Sequence, residues 1–437
     1  MQRIHTKSIL LRRLIHVNIG PHWPQSSVCV RSIPAKSCVA SASPILFQSN
    51  ILTFRNFAAS ANRFNGKKLF TPGPLGTSMT VKQAMLKDLG SRDVEFIQSV
   101  KDIRSKLLQI AGVSSDAFTC IPLQGSGTFA VEAVLQTTVP RQQGKVLIAA
   151  NGAYGNRMGK ICETVSIPYQ MESFAEDSAV EPSRIEEVLK ADNSFTHVCI
   201  VHCETSSGVF NPVEQVGKIV KKYIPNASYF VDAMSSFGAV PLNFSEGHVD
   251  YLVTSANKCL EGVPGFSIVI ANKQKLAQCK GVSRSLSLDL FEQDEGLNNN
   301  GQFRFTPATH SMLAFKQAIV EYEAEGGLTG RSKRYQENRE ILRKGMARLG
   351  FKELLDEKIS GYIITSYHYP KDTNFDFKDF YNRLNEKGDV IYPGKVLKLD
   401  CFRIGNIGHL YRDDMKRLLT NIEDVCRDMK ISLPVKN

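Results

Sequence analysis

The sequence predicts an α/β protein: a large domain with a mostly parallel, doubly wound sheet, followed by a small α+β domain. Between residues 118 and 271, short apolar runs without polar alternation recur, and stretches with helical spacing separate them. Such runs are typical of strands covered on both faces. After a glycine-rich stretch at 326–330, shorter runs and helical stretches alternate to the end of the chain. We therefore place the large domain at 67–330 and the small domain at 331–437.

Residues 1–66, which precede the large domain, have an unusual composition. They contain no Asp or Glu, and their eight Lys and Arg residues account for most of the net charge of +11. Apolar residues between Ile4 and Ile15 interleave with Arg12 and Arg13 as on an amphipathic helix. This composition predicts a mitochondrial transit peptide and a location in the mitochondrial matrix; the alternative is a disordered basic leader. Because the excess charge lies here, nucleic-acid binding is disfavoured.

A small-residue turn follows the first predicted strand of the large domain. The Pro- and Gly-rich loop 69–78 and two helices, 81–86 and 93–111, lead to the strand 118–123. Next come Ser126, Gly127 and Thr128, at the start of a helical run. A turn that opens a helix directs unpaired N–H groups and the positive end of the helix dipole at one point. The turn therefore predicts an anion site; the alternative is a plain N-cap with Thr128 as the capping residue.

The remaining elements extend the same pattern. An apolar run at 266–271 follows Lys258 too closely for a parallel crossover, which needs a dozen or more residues, so this strand is expected to be antiparallel. Residues 286–304 are polar and are expected to form an excursion away from the sheet. The other predicted strands are 145–150, 196–201, 229–231, 249–253, 362–367 and 401–404, and the other helices are 212–223, 308–325, 335–349, 377–386 and 413–429.

Asp232 and Lys258 each follow a predicted buried strand. The carboxyl ends of parallel strands meet at one edge of a sheet, where ligands bind in open α/β folds. Pyridoxal phosphate requires a lysine for its Schiff base and an acidic partner for its pyridinium nitrogen. A desolvated lysine also has a lowered pKa and moves protons readily. Either residue alone is better explained as a turn cap or a solvated lysine, whereas the pair favours a cofactor site.

Two further residues have a functional and a structural explanation. Tyr154, between glycines after the strand 145–150, is either a ring that stacks on a flat ligand or an ordinary loop tyrosine. Arg403 lies in a largely apolar strand, where a buried guanidinium is costly unless it meets a charge. It binds either the carboxylate or phosphonate of a substrate, or an internal Asp or Glu.

Cysteine and hydropathy patterns exclude other classes of protein. The ten cysteines include no C-x-x-C pair, so neither a disulfide framework nor a metal site is predicted. Cys199 and Cys203 flank His202 in one strand-like run, which favours buried thiols over metal ligands. No apolar run reaches transmembrane length.

Motifs along the whole chain after residue 67 resemble those of the class V aminotransferases, which are pyridoxal-phosphate enzymes of fold type I. Within this family, the chain is most similar to the group that acts on 2-aminoethylphosphonate and pyruvate. The motifs are TPGP, GSGT, NGAYGNRM, HCETSSGVFNP, VDAMSSFG, SANKCLEGVPGF, SRSLSLDL, RFTPATH, VIYPGK and FRIGNIG.

The resemblance implies a set of site residues. Lys258 would form the Schiff base and Asp232 would face the pyridinium nitrogen of pyridoxal 5′-phosphate. The remaining cofactor-binding residues would be Ser126, Gly127, Thr128 and Asn257 at the phosphate, Thr205 at the ring hydroxyl, Tyr154 over the ring face, and Thr306 at the phosphate of the neighbouring subunit of a homodimer. Arg403 would bind the acidic end of the substrate.

The resemblance also implies a reaction. The amino group of 2-aminoethylphosphonate would pass to pyruvate through pyridoxamine phosphate, giving phosphonoacetaldehyde and L-alanine, as in phosphonate catabolism. The alternative within the family is an alanine–glyoxylate or serine–pyruvate aminotransferase. A third possibility is a non-catalytic relative, which the presence of both Lys258 and Asp232 disfavours.

Overall fold

The computed structural model describes residues 66–394 and 399–436, which belong to one compact unit. The strands are β1 (Lys68–Leu69), β2 (Phe118–Gln124), β3 (Val146–Ala150), β4 (Tyr169–Ser173), β5 (His197–Val201), β6 (Cys203–Glu204), β7 (Val209–Phe210), β8 (Ser228–Asp232), β9 (Tyr251–Ser255), β10 (Phe266–Asn272), β11 (Ile364–His368), β12 (Asp389–Val390), β13 (Tyr392–Pro393) and β14 (Cys401–Gly405).

The helices belong to the same α/β pattern that the sequence predicts. They are α1 (Met79–Gln83, continued by a 3₁₀ turn, Ala84–Leu86), α2 (Val94–Ala111), α3 (Gly127–Thr138), α4 (Ala153–Thr164), α5 (Pro182–Ala191), α6 (Val213–Tyr223), α7 (Lys273–Ala277), α8 (Leu290–Asn299), α9 (Thr309–Ala324), α10 (Gly327–Arg348), α11 (Phe377–Glu386) and α12 (Arg412–Asp428).

A seven-stranded sheet forms the centre of the described structure. Its order is β2-β10-β9-β8-β5-β3-β4, and every neighbouring pair is parallel except the two that involve β10. Strands β3, β5, β8 and β9 are buried at every position, because helices cover both faces. The prediction of a mostly parallel, doubly wound sheet is confirmed, and so is the antiparallel direction of the strand after Lys258.

The strand directions decide where polar residues gather. Strands β5, β8 and β9 are parallel, so their carboxyl ends lie at one edge of the sheet. Asp232 ends β8, and Lys258 is the third residue after β9. Because β2 runs in the same direction as β9, with β10 between them, the turn before α3 opens at this edge too.

The C-terminal part has a smaller sheet and a separate buried cluster. Strands β11, β14 and β13 are antiparallel and pack with α10, α11 and α12 around Phe351, Phe380 and Phe402. The glycines that suggested a domain boundary lie instead at the start of α10, where Gly326 is the N-cap. The division at residue 330 stays a prediction.

The polar stretch 286–304 differs from its prediction. It contains α8, which packs against the sheet instead of reaching away from it. Leu290 and Leu297 are buried, and Asp294 accepts hydrogen bonds from Arg104 (3.0 Å) and Thr119 (2.6 Å). Paired buried polar groups explain why so hydrophilic a sequence lies against the core.

Candidate active site

A cavity of about 200 Å³ lies at the carboxyl edge of the central sheet. Its lining includes seven residues that the sequence or the resemblance indicated: Ser126, Gly127, Thr128, Tyr154, Asp232, Asn257 and Lys258. Four different strand ends and two helix starts supply these side chains. The structure therefore brings most of the expected set together in one place.

The Lys258 amine is held by a glycine-containing loop. Its Nζ donates to the carbonyl of Pro72 at 2.6 Å. Gly73 has a φ of +127°, and a Cβ there would lie 2.4 Å from Nζ, so only glycine leaves room for the amine. Burial lowers the pKa of Lys258 to about 8, and the Asp232 carboxylate partly opposes this shift. A large fraction of the amine is therefore neutral near pH 8.

The Asp232 carboxyl group is buried and sparsely bonded. Its Oδ1 accepts one hydrogen bond, from the Met234 N–H at 2.9 Å. Burial, and to a smaller extent the negative charge of Glu204, raise the pKa of Asp232 to about 6. A carboxylate in this position gains from any cation placed beside it in the cavity, because a cation would lower its pKa again.

The turn at Ser126 has the features of an anion site. Ser126 is the N-cap of α3, yet its side chain makes no capping hydrogen bond and is exposed. The first N–H groups of the helix are thus left for another partner. Arg157 donates to the Thr128 hydroxyl at 3.0 Å and adds a positive charge. The alternative of Thr128 as the N-cap is not what the structure shows.

Tyr154 lies in the first turn of α4, and a buried carboxylate fixes its backbone. Glu204 accepts from the N–H groups of Tyr154 (3.1 Å) and Gly155 (3.3 Å), and also from the Ser206 hydroxyl (2.6 Å). A negative charge at a helix N-terminus is favourable. The Arg157 guanidinium lies 4.9 Å from the centre of the Tyr154 ring.

Thr205 lies next to Glu204 and is buried. Its hydroxyl has no hydrogen-bond partner of normal geometry among the described residues. The Tyr154 hydroxyl nevertheless lies close enough for Thr205 to affect the pKa of Tyr154. A buried polar atom without a partner is uncommon in folded proteins. The position of Thr205 beside Tyr154 thus leaves a donor and acceptor ready for a ligand.

Arg403 is buried in β14 without a carboxylate partner among the described residues. It donates to the carbonyl of Thr205 and, at 3.0 and 2.9 Å, to that of Pro393. Burial lowers its pKa. The ion pair with an internal Asp or Glu, which the sequence left open, is not found in this part of the chain. A buried guanidinium bonded only to neutral carbonyls favours an external anion.

Three of the expected residues, Thr205, Arg403 and Thr306, are not among those that line this cavity. Thr306 is exposed, and its carbonyl accepts from the Gln124 side chain at 3.0 Å. Its predicted contact with the neighbouring subunit stays a prediction. The remaining cavity residues include Arg157, Cys203, Met234, Ser235 and Ser255, which sequence reasoning did not select. Arg157 stands three positions after Tyr154 on a helix, a spacing that could have revealed it.

Gly73→Ala provides a test of the packing against Lys258. We expect a loss of about 1–3 kcal/mol in the free energy of unfolding, because alanine is strained at this φ and its methyl group meets the amine. Urea unfolding measures the loss. Gly112→Ala is the control, since Gly112 also has a positive φ (+68°) but open space around it. An equal or smaller loss for Gly73→Ala would contradict the close contact.

Within the described residues, no helix combines the length and hydrophobicity needed to cross a bilayer. The described cysteines are all buried and free. In the same part of the chain, no group of three or more His, Cys, Asp or Glu side chains could hold a metal ion. His202 is buried next to Phe210, with ring centres 6.1 Å apart and the two rings tilted by 40°.

Curated proteins with high identity are transaminases. A 2-aminoethylphosphonate–pyruvate transaminase from Salmonella heidelberg is 48% identical over 364 residues, which cover 83% of this chain and 98% of that protein. A bifunctional phosphonoacetaldehyde hydrolase/aminoethylphosphonate transaminase from Clostridioides difficile is 45% identical over 356 residues, or 81% of this chain. The chain spans 56% of the length of that bifunctional relative.

The same comparison corrects the predicted location. These relatives come from bacteria, which have no mitochondria, so they contradict the mitochondrial matrix address and the transit peptide. That prediction rested on the composition of residues 1–66 alone. Residues 1–65 lie outside the described part of the structure.

Solved structures share the fold at low identity. Pyridoxamine–pyruvate aminotransferase from Mesorhizobium loti has a TM-score of 0.76 and 22% identity, covering 85% of this chain and 94% of that one. Alanine–glyoxylate aminotransferase from Nostoc sp. also has a TM-score of 0.76, with 23% identity, covering 83% of this chain and 96% of that one. They confirm the predicted fold type I architecture.

A family profile covers most of the chain. The profile described as Aminotransferase class-V matches residues 78–388, which include every predicted site residue except Arg403. Together with 48% identity to a transaminase, this match confirms the resemblance and the prediction of an aminotransferase. The chain belongs to the class V aminotransferase family.

Proposed function

We propose that this chain transfers the amino group of 2-aminoethylphosphonate to pyruvate, giving phosphonoacetaldehyde and L-alanine, with pyridoxal 5′-phosphate as its cofactor. The main support is the shared cavity of Lys258 and Asp232 in a chain 48% identical to a transaminase named for these substrates. The alternative is an alanine–glyoxylate or serine–pyruvate aminotransferase, and the alanine–glyoxylate enzyme from Nostoc sp. is only 23% identical to this chain.

The residues of the cavity, together with Thr205 beside Tyr154, fit this cofactor. A phosphate would be held by the free N–H groups and hydroxyls at Ser126–Thr128, with Arg157 beside them. The ring hydroxyl would find the unpartnered hydroxyl of Thr205. Asp232 supplies the acidic partner for a ring nitrogen, and Lys258 supplies the amine. When bound, the cofactor would carry the amino group between the two substrates and accept electron density from the substrate carbon.

Lys258 is suited to proton transfer. Burial keeps a large part of the amine neutral near pH 8, and a neutral Nζ accepts a proton while its conjugate acid returns one. The carbonyl of Pro72 accepts from this Nζ and so limits its orientation. Asp232, charged above its pKa of about 6, stabilises positive charge placed beside it in the cavity.

Arg403 is the proposed ligand of the acidic end of both substrates. Phosphonate and carboxylate each offer paired oxygens, which match the fork of a guanidinium. The guanidinium also lies 4.9 Å from the Tyr392 ring centre, and this contact holds it in one orientation. One cation can therefore bind 2-aminoethylphosphonate in one half-reaction and pyruvate in the other.

Arg403→Lys is expected to raise KM for both substrates about tenfold to a hundredfold and to change kcat less. Ammonium cannot make the two-pronged contact, and a hydrogen bond to a charged group contributes about 1.5–3 kcal/mol. Steady-state kinetics with each substrate varied in turn measure the effect. Arg343→Lys is the control, because Arg343 lies on α10 and forms an ion pair with Glu357. An unchanged KM for both substrates would remove Arg403 from the site.

We also propose a homodimer in which Thr306 reaches the phosphate site of the other subunit. Phe305 beside it is 44% exposed, and Phe129, directly after the Ser126–Thr128 turn, is 49% exposed. Gln124 donates to the carbonyls of both Phe305 (2.9 Å) and Thr306 (3.0 Å), so this exposed segment lies at the base of the anion turn. A second copy that covers these aromatic rings would bring its own Thr306 nearby.

A screen of amino donors and acceptors tests the proposed reaction. The purified chain with added pyridoxal phosphate should form phosphonoacetaldehyde and alanine from 2-aminoethylphosphonate and pyruvate, faster than it transfers from alanine to glyoxylate or from serine to pyruvate. Formation of no phosphonoacetaldehyde, with rapid use of alanine and glyoxylate, would establish the alternative instead.

A further inference from the structure

The turn that carries Lys258 has an unusual backbone. The Glu261 N–H donates to the Lys258 carbonyl at 2.7 Å, and the Gly262 N–H donates to that of Ala256 at 2.8 Å. Glu261 has a φ of +57°, a left-handed conformation that residues with a side chain rarely adopt. Its side chain is nevertheless buried. Something other than local preference must therefore hold this turn.

Side chains from α10 bind this turn. Glu261 Oε1 accepts from Arg334 at 2.7 Å and from the Tyr335 hydroxyl at 2.6 Å, and the Arg331 guanidinium lies 3.4 Å from it. Arg331 also donates to the carbonyl of Cys259, the residue directly after Lys258. We call Glu261, Arg331, Arg334 and Tyr335 the Glu261 cluster. Its contacts fix the backbone on the C-terminal side of the lysine.

The same cluster supports the loop that holds the amine. Arg334 donates to the carbonyls of Gly408 (2.6 Å) and Leu410 (3.0 Å). The residue between Gly408 and Leu410 is His409, whose N–H donates to the Gly76 carbonyl at 2.9 Å. Gly76 belongs to the loop whose Pro72 carbonyl accepts from Lys258 Nζ. The cluster thus supports both the backbone turn after Lys258 and the loop that accepts a hydrogen bond from its amine.

We infer that the Glu261 cluster is a positioning device for Lys258: the buried carboxylate, held by α10, keeps the lysine turn in its strained conformation and the amine in the cavity. Glu261 does not line the cavity and does not touch the amine. The inference rests on the proposed function for its catalytic meaning, but the position of Lys258 can be measured without the cofactor.

The first measurement is the pH dependence of Lys258 acetylation by acetic anhydride in the cofactor-free full chain, read by mass spectrometry of the peptide. In Glu261→Gln, the midpoint should rise by about one pH unit from the wild-type value near 8, because a loosened turn exposes the amine to water. Loss of the Glu261 charge alone would shift the midpoint in the opposite direction, because a nearby negative charge favours the protonated amine. The sign therefore separates positioning from simple electrostatics.

The second measurement is the Kd for added pyridoxal phosphate, followed by its absorbance. It should rise about tenfold in Glu261→Gln. Tyr335→Phe, which removes one hydroxyl and no charge, should shift both quantities in the same directions by less, and it serves if Glu261→Gln does not fold. Glu353→Gln is the matched control, because Glu353 pairs with Arg339 (3.6 Å) and Arg343 (3.1 Å) on the same helix and has no contact with the lysine turn.

Each result decides one point. A midpoint that falls or stays unchanged in both Glu261→Gln and Tyr335→Phe overturns the inference, and so does an equal rise in Glu353→Gln. If wild-type protein binds no pyridoxal phosphate, the proposed function is wrong, while the acetylation midpoints still test whether the cluster positions the lysine.

Discussion

Lys258→Ala is expected to lower kcat for alanine formation from 2-aminoethylphosphonate and pyruvate by about 10⁴-fold or more. The substitution removes the amine that we propose both binds the cofactor and moves the proton, and proton transfer alone contributes about 10²–10⁴-fold. Steady-state assays with saturating pyridoxal phosphate measure the loss. Lys273→Ala, at an exposed lysine in α7, is the control and should retain full activity.

The same variant has a signature in stability. Burial lowers the pKa of Lys258 from its ordinary 10.5 to about 8, so between these values the unfolded chain binds more protons than the folded one. The free energy of unfolding should therefore rise as pH increases from about 8 to about 10.5. Lys258→Ala should remove this rise. Normal turnover in the variant, or an unchanged pH dependence of unfolding, would contradict the assignment.

Asp232→Asn is expected to lower kcat about 10²–10³-fold, the usual effect of removing one electrostatic group aimed at developing charge. The amide cannot keep a ring nitrogen protonated. Asp250→Asn is the matched control, because Asp250 also has a pKa raised by burial but precedes β9, at the opposite end of the same strands. Equal losses of kcat in the two variants would show that Asp232 has no special role.

The contribution of Asp232 to the pH dependence of stability should have the opposite sign to that of Lys258. The pKa of Asp232 is raised from 3.8 to about 6, so the folded chain binds more protons in this interval and its stability falls as pH rises through it. Asp232→Asn should remove that fall and unfold at the same or a higher urea concentration at pH 7. A large destabilisation at pH 7 would mean that the carboxylate supports the fold instead of the reaction.

The sequence alone located Asp232 and Lys258 because both follow strands that are buried on both faces. Parallel strands place their carboxyl ends at one edge, so two distant residues could be predicted to meet. The anion site at Ser126 could be predicted because its small-residue turn also follows a predicted strand and opens a helix. By contrast, the roles proposed for Thr205 and Thr306 came only from the family resemblance, since no local pattern distinguishes them.

Other features depend on contacts that a linear pattern does not contain. In the sequence, nothing distinguishes Glu261 from other polar residues of Gly-rich turns, and its arginine partners lie more than 60 residues later. The stretch 286–304 seemed too polar for the core, but Asp294 forms hydrogen bonds with Arg104 of α2 and Thr119 of β2, which are distant in the sequence. Composition also misled the assignment of residues 1–66, because a basic, acid-free segment has several possible explanations.

The reversed strand β10 has a consequence for biosynthesis. It lies between β2 and β9, so residues near 120 acquire their neighbour only when residues 266–272 have left the ribosome. Until then β2, which precedes the Ser126 turn, has no partner along the edge that β10 will occupy. The turn that carries Lys258 likewise lacks β10, the strand that follows it. Closing so long a loop is entropically slow, so the proposed cofactor pocket is completed only after most of the central sheet has been translated.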